Sequence, residues 1–179
     1  MSKKKFPQPS LTVDLVLFRW YRSKVEILLI KRKQAPFKDC WALPGGFVAK
    51  GETAEEAAYR ELQEETSLVA SSLVPLTLFD EPGRDPRGWT ISMAYWSIVK
   101  SKNNVKAGTD AKEAQWFSIK KLPALSFDHG KIIDYTLNTI KQYATPALTL
   151  LNGVEDLSTS KLKLILRYMQ ERANNESKN

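Results

Sequence analysis

The chain lacks the cysteine pairs of disulfide-linked proteins and the long apolar segments of membrane-spanning proteins. Its 179 residues include one cysteine, Cys40, and one histidine, His129. One cysteine cannot form an intramolecular disulfide and is typical of a reducing compartment. The sequence also lacks an apolar run of 18 residues and an apolar leader near its start. We therefore expect a cytoplasmic location, no secretion and no membrane partner.

The residues that are present predict one compact domain with a cationic surface. Hydrophobic residues make up 42% of the chain and include five tryptophans and seven phenylalanines, which excludes a disordered chain. A chain of this length usually builds a single core that buries about 70% of its unfolded surface. The formal net charge of +7 favours anionic substrates or weak binding to nucleic acid.

One short segment is strongly acidic although the whole chain is positively charged. Six of the 20 acidic residues lie between Glu52 and Glu65. On a helix, Glu61, Glu64 and Glu65 stand at i, i+3 and i+4, so their carboxylates share one face and repel one another. Mg²⁺ prefers oxygen ligands and commonly joins one or two carboxylates to substrate phosphates. The spacing predicts a site for a hard divalent cation, and a solvated helix face with ordinary Glu–Arg pairs is the alternative.

The preceding residues predict how this helix begins. Residues 43–46, Leu-Pro-Gly-Gly, form a turn whose glycines allow close backbone approach. Thr53, with Glu56 three residues later, predicts a capping box and a helix start near Ala54. The apolar stripe opposite the glutamates consists of Ala54, Ala57, Ala58 and Leu62.

Residues 46–68 carry a longer pattern of fixed spacings. Eight positions match G-x5-E-x7-R-E-U-x-E-E-x-G-U, where U is aliphatic: Gly46, Glu52, Arg60, Glu61, Leu62, Glu64, Glu65 and Leu68. The segment resembles the Nudix box. One position departs, because Ser67 stands where the box has glycine. A residue just past a helix end often adopts the left-handed conformation, which costs serine on the order of 1 kcal/mol, so either the turn differs or mild strain is tolerated.

The resemblance implies a fold, a reaction and the roles of several residues. The fold is of the α/β class, a Nudix α/β/α sandwich around a mixed β-sheet. The reaction is hydrolysis of a nucleoside diphosphate linked to another group. In such a site Glu52 orients Arg60, which can also reach Glu64 one helical turn away. The ligands implied for Mg²⁺ or Mn²⁺ are Glu61, Glu64, Glu65 and the carbonyl oxygen of Gly45.

Apolar and β-branched runs outside the box predict the strands of the sheet. These strands cover residues 11–18, 25–31, 73–79, 90–99 and 114–119, with the first four forming two pairs. Two further helices are predicted over 127–143, with Asp128 as N-cap, and over 159–172. We expect a flexible tail over 1–8, a Nudix hydrolase domain over 9–144 and a short C-terminal helical extension over 145–179, which resembles the start of a winged-helix module.

Residues 81–88, Glu-Pro-Gly-Arg-Asp-Pro-Arg-Gly, form a second informative segment, here called the arginine loop. It puts Arg84 and Arg87 on a constrained turn, where guanidinium groups suit phosphate oxygens, although surface arginines facing water are the alternative. The loop resembles the ADP-ribose pyrophosphatase branch of the Nudix family and the related regulators of NAD metabolism, as do residues 9–14, 31–32, 42–48 and 127–129. This resemblance implies a homodimer. The substrate-binding residues that it implies are Arg32, Gly46, Arg84 and Arg87.

The implied mechanism is metal-assisted attack of water on the diphosphate, which converts ADP-ribose to AMP and ribose 5-phosphate. A general base must lie within hydrogen-bond reach of that water. In the resembled branch it comes from a loop after the box, here residues 108–113, so Glu113 and Asp110 are candidates and Glu64 is the rival. His129 is either a ligand of substrate phosphate or a residue that only hydrogen-bonds locally.

Two other functions share these motifs. One is a DNA-binding regulator with a Nudix fold as ligand sensor, and the helix over 159–172 has the basic residues Lys161, Lys163, Arg167 and Arg172. Major-groove binding needs a second helix, for which few residues follow Arg172, and such regulators tend to lose box glutamates that this chain retains. We therefore expect an enzyme without a specific nucleic-acid partner. The other is a nucleoside triphosphate pyrophosphohydrolase, because that class has the same box.

Overall fold

A mixed sheet of seven strands is the centre of the part of the chain that the structure describes. The structure is a computed structural model and describes residues 7–22, 24–99, 105 and 111–149. The strands are β1 (Ser10–Tyr21), β2 (Lys24–Arg32), β3 (Trp41–Ala42), β4 (Gly45–Phe47), β5 (Val74–Phe79), β6 (Thr90–Ile98) and β7 (Ala111–Ser118). The helices are α1 (Ala54–Thr66) and α2 (His129–Thr149).

The sheet is mixed because β1 and β6 run parallel, whereas the other pairings are antiparallel. The long β1 strand is shared along its other edge. Residues 18–21 pair with β2, and residues 12–14 pair with β4. The short β4 strand, which begins at Gly45, is thus held directly against the middle of the sheet. The order through the sheet is β3-β2-β1-β6-β5, with β7 on β2 and β4 on β1.

The two helices lie on opposite faces of this sheet. Successive side chains of a strand point to opposite faces, and β1 follows this rule. Leu15 and Leu17 pack with Leu62 of α1, whereas Val16 and Phe18 pack with α2. All four β1 side chains are fully buried. The predicted α/β/α sandwich around a mixed sheet is confirmed.

The structure extends or corrects several predicted elements. The start of α1 at Ala54 and both predicted strand pairs are confirmed. Strands β3 and β4 were not predicted, because a turn rich in proline and glycine hides two short pairings that only the neighbouring strands create. The predicted end of the second helix at residue 143 was wrong, since α2 continues to Thr149. Asp128 as N-cap predicts a first helical residue at 129, and α2 begins there. Phe127 lies outside the helix, since its positive φ of 52° does not fit a helix interior.

The predicted boundary between residues 144 and 145 consequently falls inside α2. The division into domains otherwise stays a prediction, and the helix predicted over 159–172 lies outside the described residues, as do residues 1–6. Neither α1 nor α2 has the length and apolar character that crossing a membrane would require, within the ranges described.

Candidate functional site

Helix α1 begins with a complete capping box. The Thr53 Oγ1 accepts a 3.2 Å hydrogen bond from the backbone N–H of Glu56, and the Glu56 carboxylate accepts one of 2.7 Å from the N–H of Thr53. These bonds satisfy two N–H groups that the first helical turn leaves without partners. They also fix where the helix starts, and therefore which face carries the glutamates of the following turns.

The helix ends at Ser67 in the left-handed conformation, with φ 57° and ψ 20°. The Ser67 N–H donates a 2.9 Å bond to the carbonyl of Gln63, which closes the last turn. The sequence left open whether the turn at Ser67 differs from that of the box or tolerates mild strain, and the left-handed conformation agrees with mild strain. Serine performs the role of the glycine in the box at a cost on the order of 1 kcal/mol.

Arg60 lies at the centre of a cluster of carboxylates. Its guanidinium donates to Glu52 at 2.6 and 3.1 Å, to Glu61 at 2.7 Å and to Glu64 at 3.2 Å. It also donates a 3.0 Å bond to the carbonyl of Phe47. The Glu52 hydrogen bonds, followed by those of Glu61, raise the pKa of Arg60 above its ordinary value. The predicted contacts of Arg60 with Glu52 and Glu64 are confirmed, and one cation offsets the repulsion among three anions.

The turn before β4 lies directly against α1. The backbone N–H of Gly45 donates a 2.8 Å hydrogen bond to the carboxylate of Glu65, which is only 7% exposed. A Cβ atom at Gly46 would collide with the carboxylate of Glu61. A Cβ atom at Gly45 would instead collide with the carbonyl oxygen of Val13 in β1. Gly46 is therefore needed for the close approach to the Glu61 carboxylate, and Gly45 for the close approach to the sheet.

Glu61, Glu64 and Glu65, here called the carboxylate face, have the donor chemistry of a magnesium or manganese site. Glu61 and Glu64 both accept from Nη1 of Arg60, so their oxygens converge on a single cationic group. Glu65 instead binds the N–H of Gly45. Within the described ranges, no three histidine, cysteine or acidic side chains meet closely enough to hold a metal ion. The oxygen donors fit a hard divalent ion in kind, and the metal ligation stays a prediction.

Arginines and phenylalanines alternate beside the carboxylate face. The Arg32 guanidinium lies 4.8 Å from the ring centroid of Phe127, and that of Arg87 lies 4.8 Å from Phe47 and 5.3 Å from Phe127. Arg87 also donates to the carboxylate of Asp85 at 2.6 Å and remains 38% exposed. Burial, and next the charge of Arg87, lower the pKa of Arg32. This cluster of Arg32, Arg87, Phe47 and Phe127 is called the cation–aromatic cluster below.

A cavity of about 120 Å³ joins the two groups of residues. Arg32 and Glu65 both line it, so the structure brings together a predicted substrate-binding residue and a predicted metal ligand. Its other lining residues are Ile30, Lys33 and Gln34.

Arg84 has a different environment from Arg87. Its side chain is only 5% exposed, and it donates to Asp128 at 2.8 and 2.9 Å and to Asp14 at 3.2 Å. Burial alone would lower the pKa of Arg84, but the two carboxylates raise it. The carboxylate of Asp128, which was predicted as a helix cap, is thus used to bind this guanidinium. Substrate binding by Arg84 stays a prediction, and the contacts describe an internal ion pair.

The candidate bases lie outside α1, except for Glu64. Glu113 was expected in a loop, but it is in β7, because that strand begins at Ala111 and pairs with β2. Its carboxylate accepts a 3.0 Å bond from Lys31, directly opposite in the register. Asp110 lies outside the described residues. The role of general base stays a prediction for each of them.

The residues that sequence reasoning underestimated form a buried polar network around Asp14. His129 Nδ1 accepts a 2.8 Å bond from the N–H of Leu43, and its Nε2 lies 3.3 Å from Asp14. Asp14 also accepts a 2.6 Å bond from the hydroxyl of Ser92. Of the two alternatives for His129, purely local hydrogen bonding does not describe this contact, since Leu43 is 86 positions away, and binding of substrate phosphate stays untested. Asp14 is the only charged residue in the apolar run 11–18, and this was the available signal.

The comparison with known families agrees with this geometry. A model of the NUDIX domain matches residues 11–136, which is well over half of the chain. The chain belongs to the Nudix family. The expected membership is confirmed, and the two helices packed against a mixed sheet are the Nudix fold.

Individual Nudix proteins resemble the chain over most of its length. It is 49% identical over 128 residues to the ADP-ribose pyrophosphatase of Methanocaldococcus jannaschii, across 71% of this chain and 73% of that protein. It is 29% identical over 156 residues to the ADPR responsive transcriptional repressor NtrR of Acinetobacter baylyi, across 83% of this chain and 62% of the repressor. The NUDIX domain of Shewanella oneidensis NrtR, solved in complex with ADP ribose, superimposes with a TM-score of 0.70 at 28% identity, across 75% of this chain and 90% of that domain. The chain is a Nudix hydrolase.

Proposed function

We propose that this Nudix hydrolase converts ADP-ribose to AMP and ribose 5-phosphate with Mg²⁺ or Mn²⁺ bound. The observation that carries the proposal is the cavity shared by Glu65 and Arg32, because it puts an anionic metal ligand beside a guanidinium that suits phosphate. Hydrolysis of a diphosphate needs both charges in one place. The 49% identity to an ADP-ribose pyrophosphatase supports ADP-ribose as the substrate.

The cation–aromatic cluster supports a substrate with two phosphates and flat or ring-shaped groups. Arg87 is partly exposed and its guanidinium lies near the rings of both Phe47 and Phe127, so contacts with two rings help to order it. A guanidinium that is already ordered loses less entropy when it binds a phosphate oxygen. We assign Arg32, Arg87 and the close turn at Gly46 to substrate binding.

The residues that would hold the metal are Glu61, Glu64, Glu65 and the carbonyl oxygen of Gly45. When bound, such an ion would neutralise charge on the diphosphate and lower the pKa of a coordinated water. Arg60 keeps Glu61 and Glu64 on one side of α1, because its guanidinium donates to both carboxylates. Glu52 in turn accepts two hydrogen bonds from Arg60, and these bonds restrict the orientation of the guanidinium.

The attacking water must lose a proton to a general base. Glu64 is the candidate already on the carboxylate face, and its side chain is 53% exposed. Glu113 pairs with Lys31 and Glu64 pairs with Arg60, and both carboxylates are 53% exposed, so we prefer Glu64 only because it lies on the carboxylate face. A fall in kcat of several orders of magnitude in Glu113→Gln, with Glu64→Gln much less affected, would assign the base to β7 instead.

A substrate panel tests the proposed reaction. The purified protein is incubated with Mg²⁺ and ADP-ribose, NADH, NAD, a dinucleoside polyphosphate or a nucleoside triphosphate, and products are separated by chromatography. We expect the highest kcat/KM for ADP-ribose, with AMP and ribose 5-phosphate as products, and no turnover after chelation of the metal. A higher kcat/KM for a nucleoside triphosphate than for ADP-ribose would contradict the proposal and indicate a nucleoside triphosphate pyrophosphohydrolase.

A regulator that senses an ADP-ribose-like ligand is the second candidate. The similarity to the NtrR repressor favours it, because that match extends over 83% of the chain. The net charge of +7 supports weak binding to any polyanion, and such binding weakens as salt rises. We expect DNA binding that is independent of sequence and lost at about 200 mM salt. A mobility shift that persists at that salt and distinguishes one duplex from a scrambled competitor would favour the regulator.

We also propose a homodimer located in the cytoplasm. The dimer rests on the resemblance to the pyrophosphatase branch, and the location rests on the composition. Light scattering checks the first point, with an expected mass of twice the 20.3 kDa of one chain. Cell fractionation checks the second.

A further inference from the structure

The segment that leads into α2 is attached to β3 and to the turn that precedes Gly45 and Gly46. Ser126 donates two hydrogen bonds to the carbonyl of Trp41, from its N–H at 2.8 Å and from its hydroxyl at 2.9 Å. Three residues later, His129 Nδ1 accepts a 2.8 Å bond from the N–H of Leu43. The two attachment points on the turn are therefore two residues apart, and both come from the same short segment.

The attachment at Leu43 bears on the geometry of the active site. The next carbonyl, that of Pro44, accepts a 2.8 Å bond from the N–H of Leu15 in β1. The next N–H, that of Gly45, donates to Glu65 of the carboxylate face. Three consecutive residues of the turn are thus each held by a different element. Leu43 and Pro44 link β3, which pairs with β2, to β4, which pairs with β1, and His129 fixes the N–H of Leu43 from α2. Loss of this bond would leave that N–H without its partner and allow the link between the two strands to shift.

The bond from Leu43 defines the protonation state of His129. A neutral imidazole has one N–H donor and one acceptor nitrogen, and Nδ1 is the acceptor here. The proton is consequently on Nε2, which lies 3.3 Å from a carboxylate oxygen of Asp14. Ser92 and Arg84 donate to the other oxygen of Asp14 and keep this carboxylate in place. Asp14 therefore selects the tautomer of His129 whose Nδ1 can accept the hydrogen bond from the N–H of Leu43.

We propose that His129 is a positioning residue for hydrolysis: as the neutral Nε2–H tautomer it holds the N–H of Leu43 and thereby the turn that presents Gly45 to Glu65. The inference rests on the proposed function for its kinetic part only. His129 does not touch the reacting atoms in this assignment. It acts through the backbone of the turn.

The charges around His129 agree with a neutral ring. Burial is the largest influence and lowers its pKa below the ordinary value. Asp14 on β1 and Asp128 before α2 act in the opposite direction, whereas Arg84 in the arginine loop and Arg32 on β2 lower the pKa further. A proton on Nδ1 would remove the acceptor for Leu43. The same proton would add a second cation next to Arg84.

Two amide variants separate the functions of the two ring nitrogens. In His129→Asn the side-chain oxygen can stand near the position of Nδ1 and accept from Leu43. In His129→Gln the longer side chain reaches toward Asp14 and leaves no acceptor for Leu43. We expect kcat of His129→Asn to stay within about threefold of the wild type, and kcat of His129→Gln to fall about 30- to 100-fold with little change in KM, because a misplaced site loses rate more than binding.

Readouts other than activity accompany the kinetics. Nitrogen-15 NMR of the wild-type full chain at pH 7 reports the tautomer directly, and we expect a protonated Nε2 with an unprotonated Nδ1. Amide hydrogen exchange at Leu43 should be at least about tenfold faster in His129→Gln than in His129→Asn or the wild type, since the bond that protects it is lost. These two measurements need neither substrate nor metal, and the first needs no variant.

Each outcome decides the proposal. The expected tautomer, with selective loss of Leu43 protection and of kcat in His129→Gln, supports it. A protonated Nδ1 overturns it, and so do equal losses of kcat and protection in both variants, because those indicate packing alone. Wild-type kcat in His129→Gln, with ordinary ADP-ribose turnover by the wild type, also overturns it while leaving the proposed function intact. Absence of turnover in the wild type overturns the proposed function, and the NMR and exchange results then still decide whether His129 holds the turn.

Discussion

The carboxylate of Glu65 accepts a 2.8 Å hydrogen bond from the backbone N–H of Gly45. This bond joins the last turn of α1 to the turn between β3 and β4, two segments that are 20 positions apart. It gives the carboxylate face a fixed relation to the central sheet, because β4 is itself paired with β1.

Hydrolysis should depend on the charges of the carboxylate face. In Glu64→Gln and Glu65→Gln the side chain keeps its shape but loses a hard anionic ligand, so kcat should fall by about two orders of magnitude or more while the fold survives. Steady-state kinetics at saturating Mg²⁺ and thermal unfolding measure the two effects. Glu55→Gln, an exposed position on the same helix, is the matched control and should keep its activity. Normal rates in both test variants would remove the metal assignment.

Gly46→Ala should inactivate the enzyme, because its Cβ would collide with the carboxylate of Glu61. Backbone or carboxylate must then move, and the paired position of the metal ligand is lost. Gly130→Ala is the control, since a Cβ there meets its nearest neighbour only at 4.0 Å and helix α2 should gain about 0.5–1 kcal/mol. Activity assays and chemical denaturation compare the two variants. Equal activity in Gly46→Ala and Gly130→Ala would contradict the close approach.

Arg84→Ala should affect folding more than catalysis. It leaves the buried carboxylates of Asp14 and Asp128 without their shared cation, which we expect to cost about 3–5 kcal/mol of unfolding free energy. Urea denaturation measures this value. Lys131→Ala removes an exposed ion pair with Glu81 from the neighbouring surface and should change stability little. A stability of Arg84→Ala equal to that of Lys131→Ala would show that the internal ion pair contributes nothing.

Arg87→Ala should weaken substrate binding or disturb the dimer. The lost guanidinium would raise KM for ADP-ribose by about tenfold, equivalent to about 1.4 kcal/mol, if it binds a phosphate oxygen in the complex. Lys120→Ala, which removes one exposed positive charge elsewhere, controls for net charge. Kinetics and light scattering are measured on both variants. Unchanged KM and unchanged mass in Arg87→Ala would leave this part of the arginine loop as ordinary surface.

Stability should fall as the pH drops below about 6.5, the ordinary value for histidine. The unfolded chain then binds a proton at His129 that the folded chain excludes, because the pKa of the buried ring is lowered. Stability therefore rises with pH in this window, by at most about 1.4 kcal/mol per unit for one proton. Denaturation at pH 7.5, 6.5 and 5.5 checks this, with His129→Asn expected to lose less stability on acidification. Parallel curves for both proteins would assign the acid sensitivity to other groups.

The sequence alone was sufficient for the fold class, for α1 and for the identity of the carboxylate face. These features depend on local patterns, such as the capping box at Thr53 and the i, i+3, i+4 spacing of the glutamates. Such patterns can be recognised in the sequence because they do not depend on residues that are distant along the chain. The contacts of Arg60 were predictable for the same reason, since Glu64 is one turn away. The box also pointed to Gly46 before any distance was known.

Only the tertiary structure decided which residues outside the box lie beside the carboxylate face and which are buried away from it. Arg84 and Arg87 are three positions apart in one loop, yet Arg84 is buried and paired with two aspartates whereas Arg87 lies near the rings of two phenylalanines. His129 meets Leu43 because the strand just before Leu43 is bridged, from Trp41 to Leu125, to the segment just before α2. The physical reason is that the burial and the partners of a polar side chain depend on the whole fold, whereas its sequence shows only its immediate neighbours.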